Sequence, residues 1–374
     1  MTSTSRSTLT LSVGDPTVEQ HATLAQDAVT ALIGLWLIGG LFSDGWAHHN
    51  VPELEGFFTP WHGALYFGLL LAGAWFAWLG RAGGLRWYRH VPSGYGWGVV
   101  GIGVFAFGGL ADMAWHLAFG VEAGVDALLS PSHLVLFTGG LLILTSTVRS
   151  RWGSGDVASP VAMGALALVT ALVSFFLLYV SEFTANAPTV AFEALPEGHP
   201  QHTASELPAT AGVGGFLITT ALLLVPLVWT WQRARAPRGL LIMLVALTSW
   251  LSAAVVDLDR AAVFGAAGAT LGAIVGEFAL DRLEDRDLPS RLRVPVLAAA
   301  AIIPIWTVHI AALAVGVGLA WSVELWSGAV ILSGLAAAAL GGLAVSAPPT
   351  DPAVSIHESD RMRADLPVEN SLGD

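Results

Sequence analysis

An all-α, polytopic transmembrane helical bundle is the fold class this chain predicts, and three observations predict it. The 374 residues are 54% hydrophobic and only 12% charged, whereas a soluble domain usually carries about 25% charged residues. The apolar residues fall in continuous runs near the roughly 20 residues that cross a bilayer as a helix, without the alternation of a barrel strand. Arginine recurs after every second run, the asymmetry that sets the orientation of membrane proteins.

The elements follow in order. Residues 1–25 are polar and lack the charged-then-apolar order of a signal peptide, so they are expected to form a disordered cytoplasmic tail. Apolar runs then fall at 27–47, 60–80, 95–118, 131–148, 159–182, 208–231, 239–256, 261–281, 294–318 and 326–346, about ten spans within a bundle over 26–346. Residues 347–374 are rich in Pro and acidic residues and are expected to form a second disordered cytoplasmic tail. Arg81, Arg86 and Arg89 follow the second run, Arg149 and Arg151 the fourth, Arg233, Arg235 and Arg238 the sixth, and Arg282, Arg286, Arg291 and Arg293 the eighth. By the positive-inside rule these loops and both termini are expected to be cytoplasmic, in the cell membrane. The chain then reads as helical hairpins opening outward.

Composition also excludes chemistry. Cysteine is absent, which removes disulfides, iron–sulfur clusters and thiolate sites. Lysine is absent too, so every fixed side-chain cation is an arginine. The net charge of −12 sits largely in tails and outer loops, and no nucleic-acid partner is expected.

The first two hairpins, over 27–148, carry the same unusual pattern. An apolar run ends in Asp-x3-His, a short acidic loop without Arg follows, and Thr or Ser then Pro-x-His opens the next run. The residues are Asp44, His48 and His62 in one copy and Asp112, His116 and His133 in the other. Asp and His four apart share one helix face. Thr59 and Ser130 are natural N-caps, with Pro60 and Pro131 at the first helical position. His62 and His133 then sit in the first turn, where the helix dipole disfavours imidazolium and favours the neutral form that binds metals. Ionisable residues in a membrane are costly and commonly functional. A repeated set of them predicts a two-His, one-carboxylate metal triad per hairpin, as one composite site or two. Oxygen and imidazole donors without sulfur suit copper, zinc or iron. An isolated His or Asp near a helix end is most often a hydrogen-bonding residue; two copies in matching order favour a site over such a polar network.

Secondary candidates are His49, Glu53 and Glu122, with Glu55 beside them, and Glu182, an echo of the motif near the end of the fifth run. His309 and Glu277 lie inside spans and read as interhelical contacts. Asp257, Asp259 and Arg260 are expected to pair with each other in an outer turn. Trp46, Trp61 and Trp115 flank the ligands. Gly39–Gly40 and Gly108–Gly109 are expected to let helices approach closely.

Asp-x3-His followed by a further His, with a second such copy in the same chain, resembles the triad-bearing membrane component of the copper membrane monooxygenases (the particulate methane and ammonia monooxygenase family). The resemblance implies a copper site at Asp44, His48 and His62 and a second at Asp112, His116 and His133, with further membrane subunits or a homo-oligomer as partners beside the lipid bilayer. It covers about 100 residues. The sequence departs from the family in having Asp112 where the family has Asn, a longer gap between His116 and His133, and more spans. Two other classes remain open. A zinc-dependent intramembrane hydrolase resembling the alkaline ceramidases would use Ser43, Asp44, His48, Ser130 and His133, although that family's His-x3-His is absent. A transporter of metal or small solutes would fit the number of spans and the duplicated hairpins. A bis-His haem would not need the aspartates.

Overall fold

The computed structural model describes residues 21–51, 56–120 and 124–346. These are helical throughout, with no strand among the described residues. The order is α1 Leu24–Asn50, α2 Pro60–Leu79, α3 Gly96–Phe119, α4 Gly124–Leu128, α5 Pro131–Gly153, α6 Pro160–Phe176, α7 Glu182–Ala185, α8 His202–Ser205, α9 Leu207–Trp231, α10 Leu240–Val255, α11 Arg260–Glu284, α12 Ser290–Gly316 and α13 Val323–Ser346.

Local sequence sets most helix starts. Thr23 and Gln26 form a reciprocal capping box at α1, which therefore begins inside the stretch 1–25 that reads as a tail. Thr59, Ser130 and Ser159 each accept a backbone N–H from the third residue on, with Pro next in line at α2, α5 and α6. This satisfies donors that a helix end otherwise leaves open.

Among the described residues, eight helices are long and apolar enough to cross a membrane: α1, α2, α3, α5, α9, α11, α12 and α13. The other two apolar runs form shorter helices, α6 of 17 residues and α10 of 16. The run at 159–182 does not stay helical to its end. After Phe176 the chain turns under α9, and the Glu182 N–H donates to Thr219 Oγ1 at 3.0 Å instead of continuing the helical ladder. The two expected tails lie, beyond residues 21–25, outside the described residues.

Small residues bring helices together. A Cβ on Gly139 of α5 would lie 2.5 Å from the Phe105 backbone N of α3, and one on Gly272 of α11 would lie 2.6 Å from the Ile305 Cα of α12. Backbones this close maximise dispersion contact, the main attraction between helices in lipid. Of the two glycine pairs read as packing positions, Gly40 approaches the Leu65 backbone, Gly108 the Leu136 backbone and Gly109 the Tyr66 ring, while Gly39 has nothing within 4 Å. Helices α1, α2, α3 and α5 share one apolar core, which includes Leu37, Phe76 and Phe105. The later helices share another, around Phe216, Leu244 and Trp306. Helices α6 and α10 pack between, against α1 and each other.

The two ends of the bundle are held differently. At the end where α1 starts, Asp27 is fully buried. It accepts from Tyr95 Oη at 2.6 Å and Ser150 Oγ at 3.1 Å, and pairs with Arg151 Nε at 2.5 Å. At the opposite end, Asn50 Nδ2 donates to Val255 O at 2.8 Å and Trp46 Nε1 to Asp257 Oδ1 at 3.3 Å. That end therefore gathers the finish of α1 and of α10. The expected Asp257–Asp259–Arg260 pairing does not form: Asp259 caps α11 through the Ala262 N–H at 2.7 Å, Asp257 takes Trp46, and Arg260 reaches over Phe264. Among the described residues no ion pair joins the three.

Candidate metal centre

The last turns of α1 and α3 and the first turns of α2 and α5 meet at one place. Asp44 and His48 lie one turn apart on α1, with Nε2 3.9 Å from Asp44 Oδ2. The cap at Thr59 starts α2 so that His62 Nε2 comes 3.6 Å from the same oxygen. On α3, His116 Nε2 lies 3.6 Å from Asp112 Oδ2, and His133 Nε2 from α5 lies 3.4 Å from Asp112 Oδ1. A tetrahedral ion with bonds of about 2.1 Å sets its ligands about 3.4 Å apart.

The two hairpins do not form separate triads. Ligand atoms of Asp44, His48 and His62 lie within 4.8 Å of one another, and so do those of His62, Asp112 and His116. His62 belongs to both groups. The His48 and His116 rings face each other with planes 16° apart and centroids 6.4 Å apart. The expected second triad is therefore altered: His62 joins Asp112 and His116, while His133 approaches the other oxygen of Asp112. The interlock follows from the hairpins packing with both tips at one point.

The capping hydroxyls also orient the imidazoles. Thr59 Oγ1 meets His62 Nδ1 at 2.9 Å, and Ser130 Oγ meets His133 Nδ1 at 2.9 Å. His133 Nδ1 also lies against Ala127 O, and His116 Nδ1 lies 3.3 Å from Gly120 O. A carbonyl can only accept, so Nδ1 carries a proton in both, and in the neutral ring Nε2 holds the lone pair on the side of the carboxylate. Such partners fix the tautomer and ring orientation of a metal ligand.

The cluster is buried and electrostatically incomplete. Asp112 is 1% exposed, His62 4%, Asp44 7% and His116 8%. Asp44 Oδ1, Asp112 Oδ2 and His62 Nε2 make no hydrogen bond among the described residues. Nor does any arginine among them pair with either aspartate. A buried polar atom left unmet costs about 1–3 kcal/mol, more when charged. Carboxylates and imidazoles thus converge without a pairing cation among the described residues, and that donor set fits a metal ion.

The secondary candidates fall elsewhere. His49 is exposed, lines the cavity that reaches the cluster, and belongs to neither ligand group. Glu53, Glu55 and Glu122 lie outside the described residues. Glu182 is fully buried and pairs with His309, 3.4 Å away, not with this cluster.

Three neighbours escape the sequence reading. Ser132 Oγ donates to Asp112 Oδ1 at 2.9 Å. Phe57 stacks on His62, with centroids 5.0 Å apart and planes at 26°. Tyr66 stacks near His62 at 6.4 Å. Tyr66 follows His62 by one turn and Ser132 adjoins His133, so helical spacing carries a signal for both; nothing local marks Phe57. Of the flanking tryptophans, Trp46 and Trp61 lie 6.3 Å apart, and Trp115 packs on Phe119.

A cavity of about 110 Å³ runs from the cluster into the bundle between α1, α5 and α6. Asp44, His48 and His133 line one end, and Leu37, Phe137 and Leu172 line its length.

Fold and cluster together define a class: a membrane-type helical protein with buried His/Asp groups able to hold a metal ion. No family model, no curated protein and no solved structure matches the chain. The likeness to the copper membrane monooxygenases rests on the motif residues alone.

Proposed function

We propose that this chain is an integral protein of the cell membrane that holds a transition metal, copper in preference to zinc or iron, between its first two hairpins near the extracytoplasmic face. The observation that supports this most is the convergence of two buried carboxylates with imidazole nitrogens, with no pairing arginine among the described residues. A single divalent ion would offset both negative charges, so one composite centre is the simplest occupancy. His62 would be common to it, and His133 would reach it through Asp112. Among divalent ions, imidazole and carboxylate sites bind Cu(II) most tightly.

An oxidative role resembling that of a copper monooxygenase component is the reading the site supports best. The cavity offers a mainly apolar approach to the ligand cluster from within the bundle. The chain's own residues would orient the ligands through Thr59 and Ser130, hold Asp112 through Ser132, and exclude water with Phe57. Copper, when bound, would supply one-electron and dioxygen chemistry. Further membrane subunits or a second copy would complete such an assembly in the bilayer. The Ser132 hydroxyl beside Asp112 favours a second reading, a zinc-dependent intramembrane hydrolase.

Metal identity separates the two. Purified protein supplied equally with copper, zinc and iron should retain copper and show a Cu(II) paramagnetic spectrum with nitrogen couplings. Retention of zinc alone would overturn the oxidative reading in favour of the hydrolase.

A further inference from the structure

A second set of buried lone pairs lies among the later helices. Glu182 opens the short turn α7 beneath α9, and His309 lies in α12, about two turns before its end. Both are 0% exposed, and Asn186, one turn after Glu182, is 3% exposed. His309 Nδ1 lies 2.9 Å from Gly265 O of α11. That carbonyl can only accept, so Nδ1 carries a proton, and in the neutral ring Nε2 holds the lone pair. Nε2 faces Glu182 Oε1 at 3.4 Å.

Other partners do not fill the gap. Glu182 Oε1 accepts the Ala187 N–H at 3.0 Å. Glu182 Oε2, Asn186 Oδ1 and His309 Nε2 make no hydrogen bond among the described residues. Asn186 Oδ1 and His309 Cε1 both press on Gly265, where a Cβ would lie 2.3 Å from the first and 3.0 Å from the second. A side chain on Gly265 would therefore push the two apart. Phe183, Phe216 and Trp306 wall the pair, with ring centroids 5.6–6.3 Å from the imidazole. No arginine pairs with Glu182 among the described residues.

We propose that Glu182, His309 and Asn186 form a second cation site, for one first-row divalent ion of the zinc class, separate from the cluster between the first hairpins. The donors are a carboxylate, an imidazole and an amide oxygen. Three protein ligands with one position left for water is the pattern of open zinc sites. A shared proton is the competing occupant. It would satisfy one Glu–His contact and leave Glu182 Oε2 and Asn186 Oδ1 unmet. The Glu182 Oε1–His309 Nε2 separation of 3.4 Å is compatible with the edge of a tetrahedral site. The ion would tie the α7 turn to α12, with the Gly265 carbonyl of α11 orienting the imidazole.

The test is zinc content, measured on purified full-length protein stripped with chelator, reloaded with Zn²⁺ and desalted. A variant lacking the first cluster, His62→Ala with Asp112→Asn, should keep about one equivalent of zinc. Adding His309→Gln or Glu182→Gln should remove it. A zinc-edge anomalous difference map of wild-type crystals needs no substitution and should show a peak bounded by Glu182, His309 and Asn186. Zinc present in wild type but absent from the first-cluster variant, with no peak at His309, would overturn the second site and leave the first standing. Zinc unaffected by the first-cluster changes but abolished by His309→Gln would support the second site and remove the first. A protein that binds no zinc at either place, with His309 and Glu182 sharing a proton, would overturn the proposal.

Discussion

Helix α1 carries two buried aspartates, Asp27 near its start and Asp44 near its finish, about 25 Å apart at 1.5 Å per residue. Their surroundings are opposite in kind. Asp27 faces donors: Tyr95 and Ser150 hydroxyls and the Arg151 guanidinium. Asp44 faces only the imidazole nitrogens of His48 and His62, and one of its oxygens has no hydrogen bond among the described residues. The same residue type, buried at both ends of one helix, is thus closed in one place and open in the other. A closed network fixes α1, α3 and α5 together. An open one costs folding energy unless something electropositive enters. Burial of a charge alone therefore does not mark a site; the donor–acceptor balance around it does.

The sharpest way to break this contrast is to remove one partner at each end. Arg151→Met leaves Asp27 buried without its cation and should cost about 3–5 kcal/mol, read as a large fall in thermal stability in detergent. Asp112→Asn in metal-free protein relieves crowding of like lone pairs and should change stability by less than about 1 kcal/mol. Equal losses would mean that both ends are structural networks. Within the open cluster, His62→Ala removes the residue common to both ligand groups and should release most of the bound metal. His133→Ala should release less, because His133 meets only the far oxygen of Asp112. Metal-to-protein ratios on monodisperse samples decide this, and half-losses from each would favour two independent sites. Ser132→Ala should weaken metal affinity by about 10–100-fold, measured by chelator competition, with little effect on folding. An unchanged affinity would remove Ser132 from its positioning role. Smallest in energy is Gly56→Cys at the exposed hairpin tip. In this cysteine-free chain it should react with an impermeant thiol reagent in intact cells; labelling only after permeabilisation would put the cluster on the cytoplasmic side.

What the sequence carries, and what it does not, follows the range of each interaction. Helix starts at Thr59 and Ser130 are local, set within about one turn, and they are readable in order. The Asp-x3-His pairs are local too. That His62 would serve both groups is not readable, because it depends on the rotation of one hairpin against the other. Glu182 is singled out by sequence as an echo of the motif, yet its partner is His309 on α12, more than a hundred residues away. The break after Phe176 that buries Glu182 has no Gly or Pro to announce it; the turn is stabilised by Thr219 on α9, a tertiary contact. The Asp257–Arg260 pairing fails for a related reason: Trp46, distant in sequence, takes the carboxylate that proximity assigned to Arg260.

The central claim is that the lone pairs around Asp44 and Asp112 are the two sides of one metal centre. It is tested most directly by the metal-to-protein ratio of monodisperse wild-type protein, purified after ample supply of copper, zinc and iron, beside the His62→Ala variant. The account predicts at least about one equivalent of transition metal in wild type and loss of most of the cluster's share in the variant, with the helical content unchanged because membrane helices keep their internal hydrogen bonds. A wild-type ratio near zero, or a ratio indifferent to His62, would contradict it and leave the repeated aspartates and histidines as a polar network without an ion.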